Sequence, residues 1–445
     1  MSAPNLPLNL NLSSITGHEA RPVVRRTTPA PILQLAPRGV YPTRIAVVGN
    51  HLPRQCGIAT FTTDLCDSIV DEFGTAGVFV VAINDSDARY EYPARVRLEI
   101  TQDELPSYRA AADFLNSSGV DVVSLQHEYG IYGGEAGSYV LELLNHLKMP
   151  VVTTLHTILR APDAAQRAVM QEIGRRSERL IVMSEHSSRL LRFVFGVPVE
   201  KIEVVPHGIP DLPFADSDAY KELFSISGKT VMLTFGLLSP NKGFENVIRA
   251  LPRILSRHSD VIYIIAGATH PHVKLREGDR YRVQLEALAR ELGVEKSVVF
   301  HNRFFAPQEM ASLVGAADIY ITPYCHEAQA VSGTLAFALG AGKAIISTPY
   351  WHAVELLNDG RGMLVPFDDT GAIAAAAIGL LEDDAACRAM RRLAYLYGRD
   401  MVWNQVAHSY MRAFAHASAD RARPVRRGFS AQAIEQNTAS RLVNA

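Results

Sequence analysis

The feature that most constrains this chain is the repeated alternation of short apolar runs with amphipathic stretches. Runs of Val, Ile and Leu on consecutive positions are typical of strands buried on both faces of a parallel sheet. The predicted strands of the first half cover 44–50, 78–84, 120–128, 149–157, 179–185 and 201–208. Helical patterns separate most of them, at 60–73, 105–118, 135–147 and 162–177. This order predicts a doubly wound α/β sheet.

The alternation stops at 208–228, a segment containing Pro and Asp that we interpret as an interdomain linker, and then begins again. Further strands are predicted at 230–236, 260–267, 297–304, 318–324, 343–348 and 362–367. Helices are predicted between them at 243–256, 279–292, 307–316, 333–341 and 371–382. The halves are alike in architecture but not in sequence. We therefore expect an α/β protein with two doubly wound, Rossmann-like domains facing a central cleft. Ligands bind such sheets beyond the carboxyl ends of the strands.

Composition narrows the class of protein. The 445 residues are enough for two or three domains, and the formal net charge of −2 gives no global attraction for nucleic acid. The four cysteines form no CxxC pair, and no cluster has metal-ligand spacing. The N-terminus lacks a signal-peptide pattern, and no apolar run approaches the ~20 residues that span a bilayer. A cytoplasmic protein without a bound metal is expected, and peripheral contact with the inner face of the membrane stays open.

Three strand ends in the first half carry polar or glycine-containing motifs. Gly57 lies in the turn before a helix, where free backbone N–H groups make an anion site, although an ordinary βα turn would look the same. His127, Glu128 and Tyr129 follow the next such strand, in a Gly-rich segment suited to sugar recognition or acid–base chemistry, or only a surface loop. His156 ends a further apolar strand; a lone histidine there is structural or catalytic.

Two strand ends in the second half carry the groups that suit a diphosphate. Gly236 ends the first strand, and Lys242 lies in the turn that follows, where an ammonium can neutralise a departing diphosphate. Glu327 lies in a loop after a later strand and can accept hydrogen bonds from hydroxyls. Residues 332–334, Ser-Gly-Thr, then open an Ala-rich helix, whose N-terminus favours phosphate.

Together these segments resemble glycosyltransferase family 4, retaining enzymes with the GT-B fold. The resemblance covers residues 44–418 and is strongest at 236–243, Gly-Leu-Leu-Ser-Pro-Asn-Lys-Gly, and at 318–366. SEHS at 184–187, VVPHGI at 204–209 and TLH at 154–156 support it, and residues 401–414 resemble the terminal helix that crosses back to the N-terminal domain. The combination is specific for the fold and for donor-sugar chemistry, and it does not specify the sugar.

The resemblance implies a role for each matched position. Lys242 would contact the donor diphosphate, and Glu327 would hold donor-sugar hydroxyls as the first Glu of the family's Glu–seven residues–Glu motif. His156 would contact the transferring sugar. The other implied donor-binding residues are Gly57, Gly236, Ser332, Gly333 and Thr334. We assign catalysis to His156, Lys242 and Glu327, and acceptor binding to His127, Glu128 and Tyr129.

Two positions depart from the family's pattern. Leu237 replaces the basic residue usual near the start of the Gly-x-Leu-x-x-x-Lys-Gly segment, and Leu335 replaces the second Glu, normally a ribose contact. Both changes concern nucleotide binding. A glycoside phosphorylase on the same fold, or a non-catalytic sugar- or nucleotide-binding descendant, therefore stays an alternative.

The resulting interpretation is a metal-independent, retaining hexosyltransferase. It would move mannose or glucose from a nucleotide-diphosphate sugar to a saccharide or lipid-linked acceptor, with the nucleotide sugar as a substrate and no cofactor. The expected organisation is a disordered arm at 1–40, an acceptor-side domain at 41–210, a nucleotide-sugar domain at 211–400, a returning helix at 401–418 and a disordered tail at 419–445.

Overall fold

The computed structural model describes residues 41–74, 77–85 and 89–422. The arm predicted at 1–40 and most of the predicted tail, from residue 423 onward, lie outside these residues. The described chain forms two α/β lobes. Each is built around one parallel sheet, so the predicted fold class is confirmed.

The N-terminal lobe, as far as it is described, contains a seven-stranded parallel sheet in the order β3-β2-β1-β4-β5-β6-β7. Its strands are β1 (Arg44–Gly49), β2 (Gly77–Asn84), β3 (Val96–Thr101), β4 (Val122–His127), β5 (Val151–Leu155), β6 (Arg179–Val182) and β7 (Ile202–Val204). Its helices are α1 (Gly57–Phe73), α2 (Leu105–Ser117), α3 (Val140–His146), α4 (Ala164–Arg176) and α5 (Glu185–Phe195).

The sequence patterns missed β3 and displaced the start of α3. β3 is an edge strand in which partly buried and exposed residues alternate, so it lacks the continuous apolar run of its neighbours. The predicted helix at 135–147 begins only at Val140, because Gly134 and Gly137 have φ of 78° and 75° and hold the preceding residues in a turn. The interior strands β1 and β4 are almost wholly buried, as predicted for strands covered on both faces.

The described part of the C-terminal lobe contains a six-stranded parallel sheet in the order β10-β9-β8-β11-β12-β13. Its strands are β8 (Thr230–Phe235), β9 (Val261–Ala266), β10 (Val298–His301), β11 (Ile319–Thr322), β12 (Ala344–Ser347) and β13 (Met363–Leu364). The helices of this part of the chain are α6 (Asp218–Lys221), α7 (Phe244–Leu255), α8 (Pro271–Glu277), α9 (Arg280–Glu291), α10 (Pro307–Ala316), α11 (Gly333–Gly340), α12 (Trp351–Leu356), α13 (Thr370–Glu382) and α14 (Asp384–Gly398).

The chain crosses between the lobes twice, and the two crossings run side by side. Ile209 donates its amide to Met401 and accepts the amide of Trp403, both at 3.0 Å. After the second crossing the chain enters α15 (Trp403–Ala422), which packs on α1 and the N-terminal sheet through Tyr410 and Phe414. This helix begins two residues later and runs four residues further than the predicted range of 401–418.

Apolar side chains are buried on both faces of both sheets, which is the main stabilising term for a doubly wound lobe. Because the strands themselves are buried, polar side chains collect in the loops at the carboxyl ends of the central strands. Helices of the two lobes meet directly: the Glu355 carboxylate of α12 accepts the amides of Glu185 and His186 at the start of α5, at 2.8 and 3.2 Å, and the ring of Trp351 stacks on His186 with 4.4 Å between centroids. Strand-end loops of the two lobes also meet, since Arg160 Nη1 lies 3.0 Å from Glu327 Oε1 across the cleft.

Candidate active site

The loop after β8 brings Lys242 back against the end of its own strand. Gly236 has φ of 121°, and a β-carbon added there would lie 2.8 Å from Lys242 Nζ and 3.3 Å from Thr334 Cγ2. The ammonium lies over the Tyr324 ring, 5.9 Å from its centroid. Thr334, about ninety residues further along the chain, therefore converges with Gly236 and Lys242 at one place in the cleft.

The turn that carries Lys242 is held by its neighbours. Gly243 has φ of 64°, and a β-carbon there would lie only 2.2 Å from the Pro323 carbonyl oxygen, so glycine is needed for both reasons. The amide of Cys325 donates to the Asn241 carbonyl at 3.0 Å. These contacts fix the loop, and with it the position of the ammonium group.

The N-terminus of α11 faces the same place. Ser332 caps the helix, because its hydroxyl accepts the Leu335 amide at 3.3 Å, while its own amide donates to His352 Nδ1 at 2.9 Å. The amides of Ser332, Gly333 and Thr334 were predicted to bind the donor. Because the Ser332 amide already donates to His352, the amides of Gly333 and Thr334 are the two of this set that can donate to an anion.

Two histidines that were not predicted as site residues, His207 and His352, lie beside this helix end. A β-carbon at Gly333 would lie 2.7 Å from His207 Nε2, while His207 Nδ1 donates to the Gly208 carbonyl at 2.8 Å. Burial lowers the pKa of His207 to about 4 and the pKa of His352 to about 3, so both rings are neutral near pH 7. In the sequence, His207 is marked only by the VVPHGI segment that supports the family resemblance. His352 is marked only by its place five residues after the end of β12.

His156 extends this group from the N-terminal lobe. Its Nε2 donates to Gln126 Oε1 at 2.9 Å, and the edge of the Phe61 ring packs against it at 5.0 Å between centroids. Phe61 also packs against His207 at 5.1 Å. Burial, with smaller contributions from His207 and His127, lowers the pKa of His156 to about 3. A neutral histidine of the first lobe thus lies close to the helix end of the second.

The first loop of the N-terminal lobe presents a second helix N-terminus. Cys56 caps α1 through its sulfur, which accepts the Ala59 amide at 3.3 Å. Arg54 braces the loop by donating to the Ile83 carbonyl at 2.9 Å and to Asp85 at 2.6 Å. Gly57 is exposed, and a β-carbon there would meet nothing within 4 Å. Packing does not require glycine at this position, so the open space at Gly57 is free for a ligand to approach.

Glu327 reaches across the cleft. Its Oε1 lies 3.0 Å from Arg160 Nη1, and the two side chains are 57% and 67% exposed. The Glu327 carbonyl accepts the amides of Gln329 and Trp351, at 2.8 and 3.0 Å, which fixes the backbone of the loop. The carboxylate is therefore held by one exposed ion pair and stays accessible to hydroxyl groups.

The predicted acceptor set does not gather on the surface of the cleft. His127 is fully buried, with Tyr129 edge-on and Tyr132 stacked on its ring. Among the described residues neither of its ring nitrogens has a hydrogen-bond partner, and burial lowers its pKa to about 3. This corrects the prediction for His127, because its side chain points into the core face of the sheet. Glu128 and Tyr129 remain partly exposed, and burial raises the pKa of Glu128.

The two departures from the family's pattern lie in different surroundings. Leu335 is fully buried in the core of the C-terminal lobe, so the side chain at the position of the missing Glu cannot reach a ligand. Leu237 is partly exposed and follows Gly236 directly. At both positions an apolar leucine therefore occupies the place of a charged side chain in the family's pattern.

The described residues contain neither a metal-binding cluster nor a membrane-spanning helix. Residues 41–74, 77–85 and 89–422 contain no group of three or more His, Cys, Asp or Glu side chains that could hold a metal ion. Within the same described part of the chain, no helix is both long enough and apolar enough to cross a bilayer.

Two protein-family models match this chain. The model described as Glycosyltransferase Family 4 matches residues 57–211, and the model described as Glycosyl transferases group 1 matches residues 229–383. The first match begins at Gly57 and contains His156, and the second contains Lys242 and the start of α11. The two matches thus fall on the two lobes that face the cleft.

Curated relatives are similar over much of the chain. A phosphatidyl-myo-inositol mannosyltransferase of Mycolicibacterium smegmatis is 29% identical over 57% of this chain and 62% of its own length. A D-inositol 3-phosphate glycosyltransferase of Acidothermus cellulolyticus is 26% identical, over 72% and 75%. A GDP-mannose-dependent alpha-(1-6)-phosphatidylinositol monomannoside mannosyltransferase of M. smegmatis is 27% identical, over 50% and 58%. The chain thus spans about three fifths of the length of the first and third.

Solved structures agree on the fold. Sucrose-phosphate synthase from Thermosynechococcus elongatus superposes with a TM-score of 0.68 at 16% identity, covering 85% of this chain and 99% of the other. Anabaena HepE in complex with UDP-glucose gives 0.65 at 17% identity, covering 83% and 99%. At such identities the likeness concerns the architecture alone.

Proposed function

This chain belongs to glycosyltransferase family 4 and has the GT-B fold, and from that premise we propose that it is a retaining hexosyltransferase. The proposed reaction moves mannose or glucose from a nucleotide-diphosphate sugar to a saccharide or lipid-linked acceptor. The bond between the anomeric carbon and the diphosphate breaks, a bond from the anomeric carbon to the acceptor oxygen forms, and the proton of the acceptor hydroxyl passes to the departing nucleoside diphosphate. Because every named relative reported above is a transferase or synthase, a phosphorylase or a non-catalytic protein is not favoured.

The observation that carries the proposal is the convergence of Lys242 with the N-terminus of α11. The Nζ atom lies against Gly236, next to Thr334 in the first turn of the helix. An ammonium group and the positive end of a helix dipole on one spot favour a diphosphate, and both stabilise the charge that grows as it departs. We assign this place to the leaving group.

Glu327 and His156 are proposed to hold the transferring sugar from opposite lobes. Glu327 is a carboxylate open to the cleft, and a sugar hydroxyl would replace Arg160 as its partner. His156 is a neutral ring that can form a hydrogen bond with a second hydroxyl. Contacts from both lobes would align the anomeric carbon between the diphosphate and the acceptor, which lowers the entropic cost of reaction. Closure of the lobes over the donor would also exclude water.

In this proposal the ribose of the nucleotide has no carboxylate contact at position 335, because Leu335 is buried in the core. One relative is named for GDP-mannose and one solved neighbour for UDP-glucose, so both nucleotides enter the test below. Gly57 and the N-terminus of α1 are proposed to approach the donor from the other lobe. No cofactor is part of the proposed reaction.

The acceptor is proposed to bind on the N-terminal lobe, beside Glu128 and Tyr129. Two relatives carry phosphatidylinositol acceptors in their names, which supports a lipid-linked acceptor as one arm of the proposal. A lipid-linked acceptor would require peripheral contact with the inner face of the membrane, and we propose a cytoplasmic location. We also propose metal-independent transfer, since Lys242 and the helix N-termini supply the positive charge.

The experiment is a transfer assay with GDP-, UDP- and ADP-linked mannose and glucose against saccharide and phosphoinositide acceptors, following release of the nucleoside diphosphate. We expect one donor to be preferred and turnover to persist in excess EDTA. The anomeric configuration of the product, read by NMR, tests retention. Release of sugar phosphate from a glycoside and orthophosphate, with no turnover of any nucleotide sugar, would overturn the proposal.

A further inference from the structure

We infer that Gln126 is a positioning residue that holds His156 in one tautomer, so that ring atom Nδ1 is a hydrogen-bond acceptor for a hydroxyl group. The assignment of that hydroxyl to a bound sugar rests on the function proposed above. The tautomer itself does not. Gln126 lies near the carboxyl end of β4 and is fully buried.

The side chain of Gln126 is held at both ends of its amide. Oε1 lies 2.9 Å from His156 Nε2, and the amide nitrogen donates to Ser124 Oγ at 3.4 Å. An amide oxygen can only accept, so His156 Nε2 must carry the proton. The Gln126 carbonyl also accepts the Tyr132 hydroxyl at 2.6 Å, which fixes the backbone at this residue.

The end of β1 is shaped to admit this side chain. A β-carbon at Gly49 would lie 2.8 Å from Gln126 Cβ and 3.0 Å from Gln126 Cγ. Any other residue at Gly49 would therefore displace Gln126 from His156. Gly49, which ends β1, is thus required by packing against Gln126. Through Gln126 it also affects the orientation of His156.

The environment of His156 keeps the ring neutral. Phe61 of α1 packs edge-on against it, and the nearby titratable groups are His207, on the segment before the first crossing, and His127 at the end of β4. Each of these disfavours an imidazolium, since burial and the two other histidines all lower the pKa of His156. A neutral ring has one N–H proton, and the hydrogen bond to Gln126 Oε1 places that proton on Nε2.

The chemical consequence lies at Nδ1. Among the described residues His156 Nδ1 forms no hydrogen bond, and in this tautomer it offers a lone pair. It can accept from an O–H group, whereas a phosphate or carbonyl oxygen would be repelled. His156 would therefore select hydroxyls, which suits a sugar and does not suit the diphosphate.

The test is long-range ¹H–¹⁵N NMR of the full chain labelled in its histidine rings, with the His156 signals assigned from their loss in a His156→Gln variant. We expect a protonated Nε2 and a bare Nδ1 in the unaltered protein at pH 7.5. Gln126→Leu should yield a mixture of tautomers, and the surface variant Gln405→Leu should leave the spectrum unchanged. A bare Nε2 in the unaltered protein, or an unchanged tautomer in Gln126→Leu, would overturn the inference.

Activity provides a separate readout. Gln126→Leu should lower kcat/KM by roughly five- to tenfold, the effect of one hydrogen bond. Gln126→Glu keeps an acceptor for Nε2 but raises the pKa of His156, so its activity should be depressed at low pH and recover as pH rises. A Gln126→Glu profile that follows the unaltered protein at every pH would contradict the role of Nδ1. If no donor supports transfer, the proposed function fails, while the NMR result still decides the tautomer.

Discussion

Arg160 Nη1 lies 3.0 Å from Glu327 Oε1, and this pair joins a loop after β5 in one lobe to a loop after β11 in the other. Both side chains are more than half exposed, and such pairs contribute about 0–1 kcal/mol. The bond is therefore weak enough for a ligand to replace. It places an arginine of the N-terminal lobe at the carboxylate that we propose for the donor sugar.

Removal of Arg160 and removal of Glu327 should affect the protein very differently. Arg160→Ala should change the free energy of unfolding by less than about 1 kcal/mol and leave the preference between donor sugars intact. Glu327→Ala should lower kcat/KM at least about tenfold and relax that preference, because a hydroxyl of the bound donor sugar would lose its proposed acceptor. Steady-state kinetics with mannosyl and glucosyl donors measures both. Arg257→Ala, which breaks another exposed pair with Glu382, is the matched control. Unchanged sugar preference in Glu327→Ala would remove that residue from the sugar site.

Loss of the Lys242 ammonium should slow the chemical step. Lys242→Ala is expected to lower kcat by about 10²–10³ at saturating donor, the range seen when one charge-stabilising group is removed. The fold should be unaffected, because the turn is held by Gly243 and by the Cys325 amide. Lys274→Ala, on exposed α8, should behave like the unaltered protein. Full turnover in Lys242→Ala would contradict the assignment of the diphosphate site.

Gly236 is the glycine whose replacement should damage the site most directly. An alanine there would place its methyl group 2.8 Å from Lys242 Nζ and would adopt a φ of 121° that L-residues avoid. We expect Gly236→Ala to cost on the order of 1–3 kcal/mol in unfolding free energy and to reduce kcat. Gly379→Ala, in the middle of α13 with nothing within 4 Å, should instead be neutral or stabilising. Urea unfolding and donor kinetics of the two variants test this contrast.

Asp64 should make stability depend on pH near neutrality. Burial, with the nearby Asp67, raises the pKa of this α1 carboxyl to about 7. A raised folded-state pKa means that the folded protein binds the proton more tightly. The stability from Asp64 is therefore fully present below its unfolded pKa near 4 and is lost as pH rises through about 7.

Asp64→Asn should remove that loss. The variant should gain on the order of 2–4 kcal/mol relative to the unaltered protein between pH 4 and pH 8. Asp71→Asn, at an exposed position of the same helix, should show no such gain. Parallel urea titrations at pH 5, 6.5 and 8 would show it. A constant difference across this range would mean that Asp64 is ionised throughout.

His127 should matter for acid stability and not for the acceptor. Burial lowers its pKa to about 3, so as pH falls through 6.5 only the unfolded chain takes up the proton and the folded state loses stability. His127→Phe keeps an aromatic ring beside Tyr132 and should lose less stability between pH 7 and pH 5. The KM for the acceptor should stay within about twofold. A large rise in that KM, without loss of stability, would restore His127 to the acceptor site.

The two sheets, their parallel strands and the break between them were predictable, because continuous apolar runs and helical periodicity report local burial. The edge strand β3 was missed because one of its faces meets solvent and its pattern is mixed. At the candidate site, Lys242, Glu327 and His156 were predicted from their places after strands and from the family resemblance, and their roles stay predictions. Their partners Gln126, Arg160, His207 and His352 were not, because nothing local marks a residue as the neighbour of a distant one.

The order of residues by itself determined the two α/β lobes and the strand ends at which polar groups collect, since backbone conformation and burial follow from short-range pattern. Only the tertiary structure decided which of those groups meet. It turned His127 into the core, set Arg160 against Glu327 and brought Lys242 to the first turn of α11. The reason is physical: side-chain contacts across a cleft depend on how two sheets twist and pack, and that packing is a property of the whole chain.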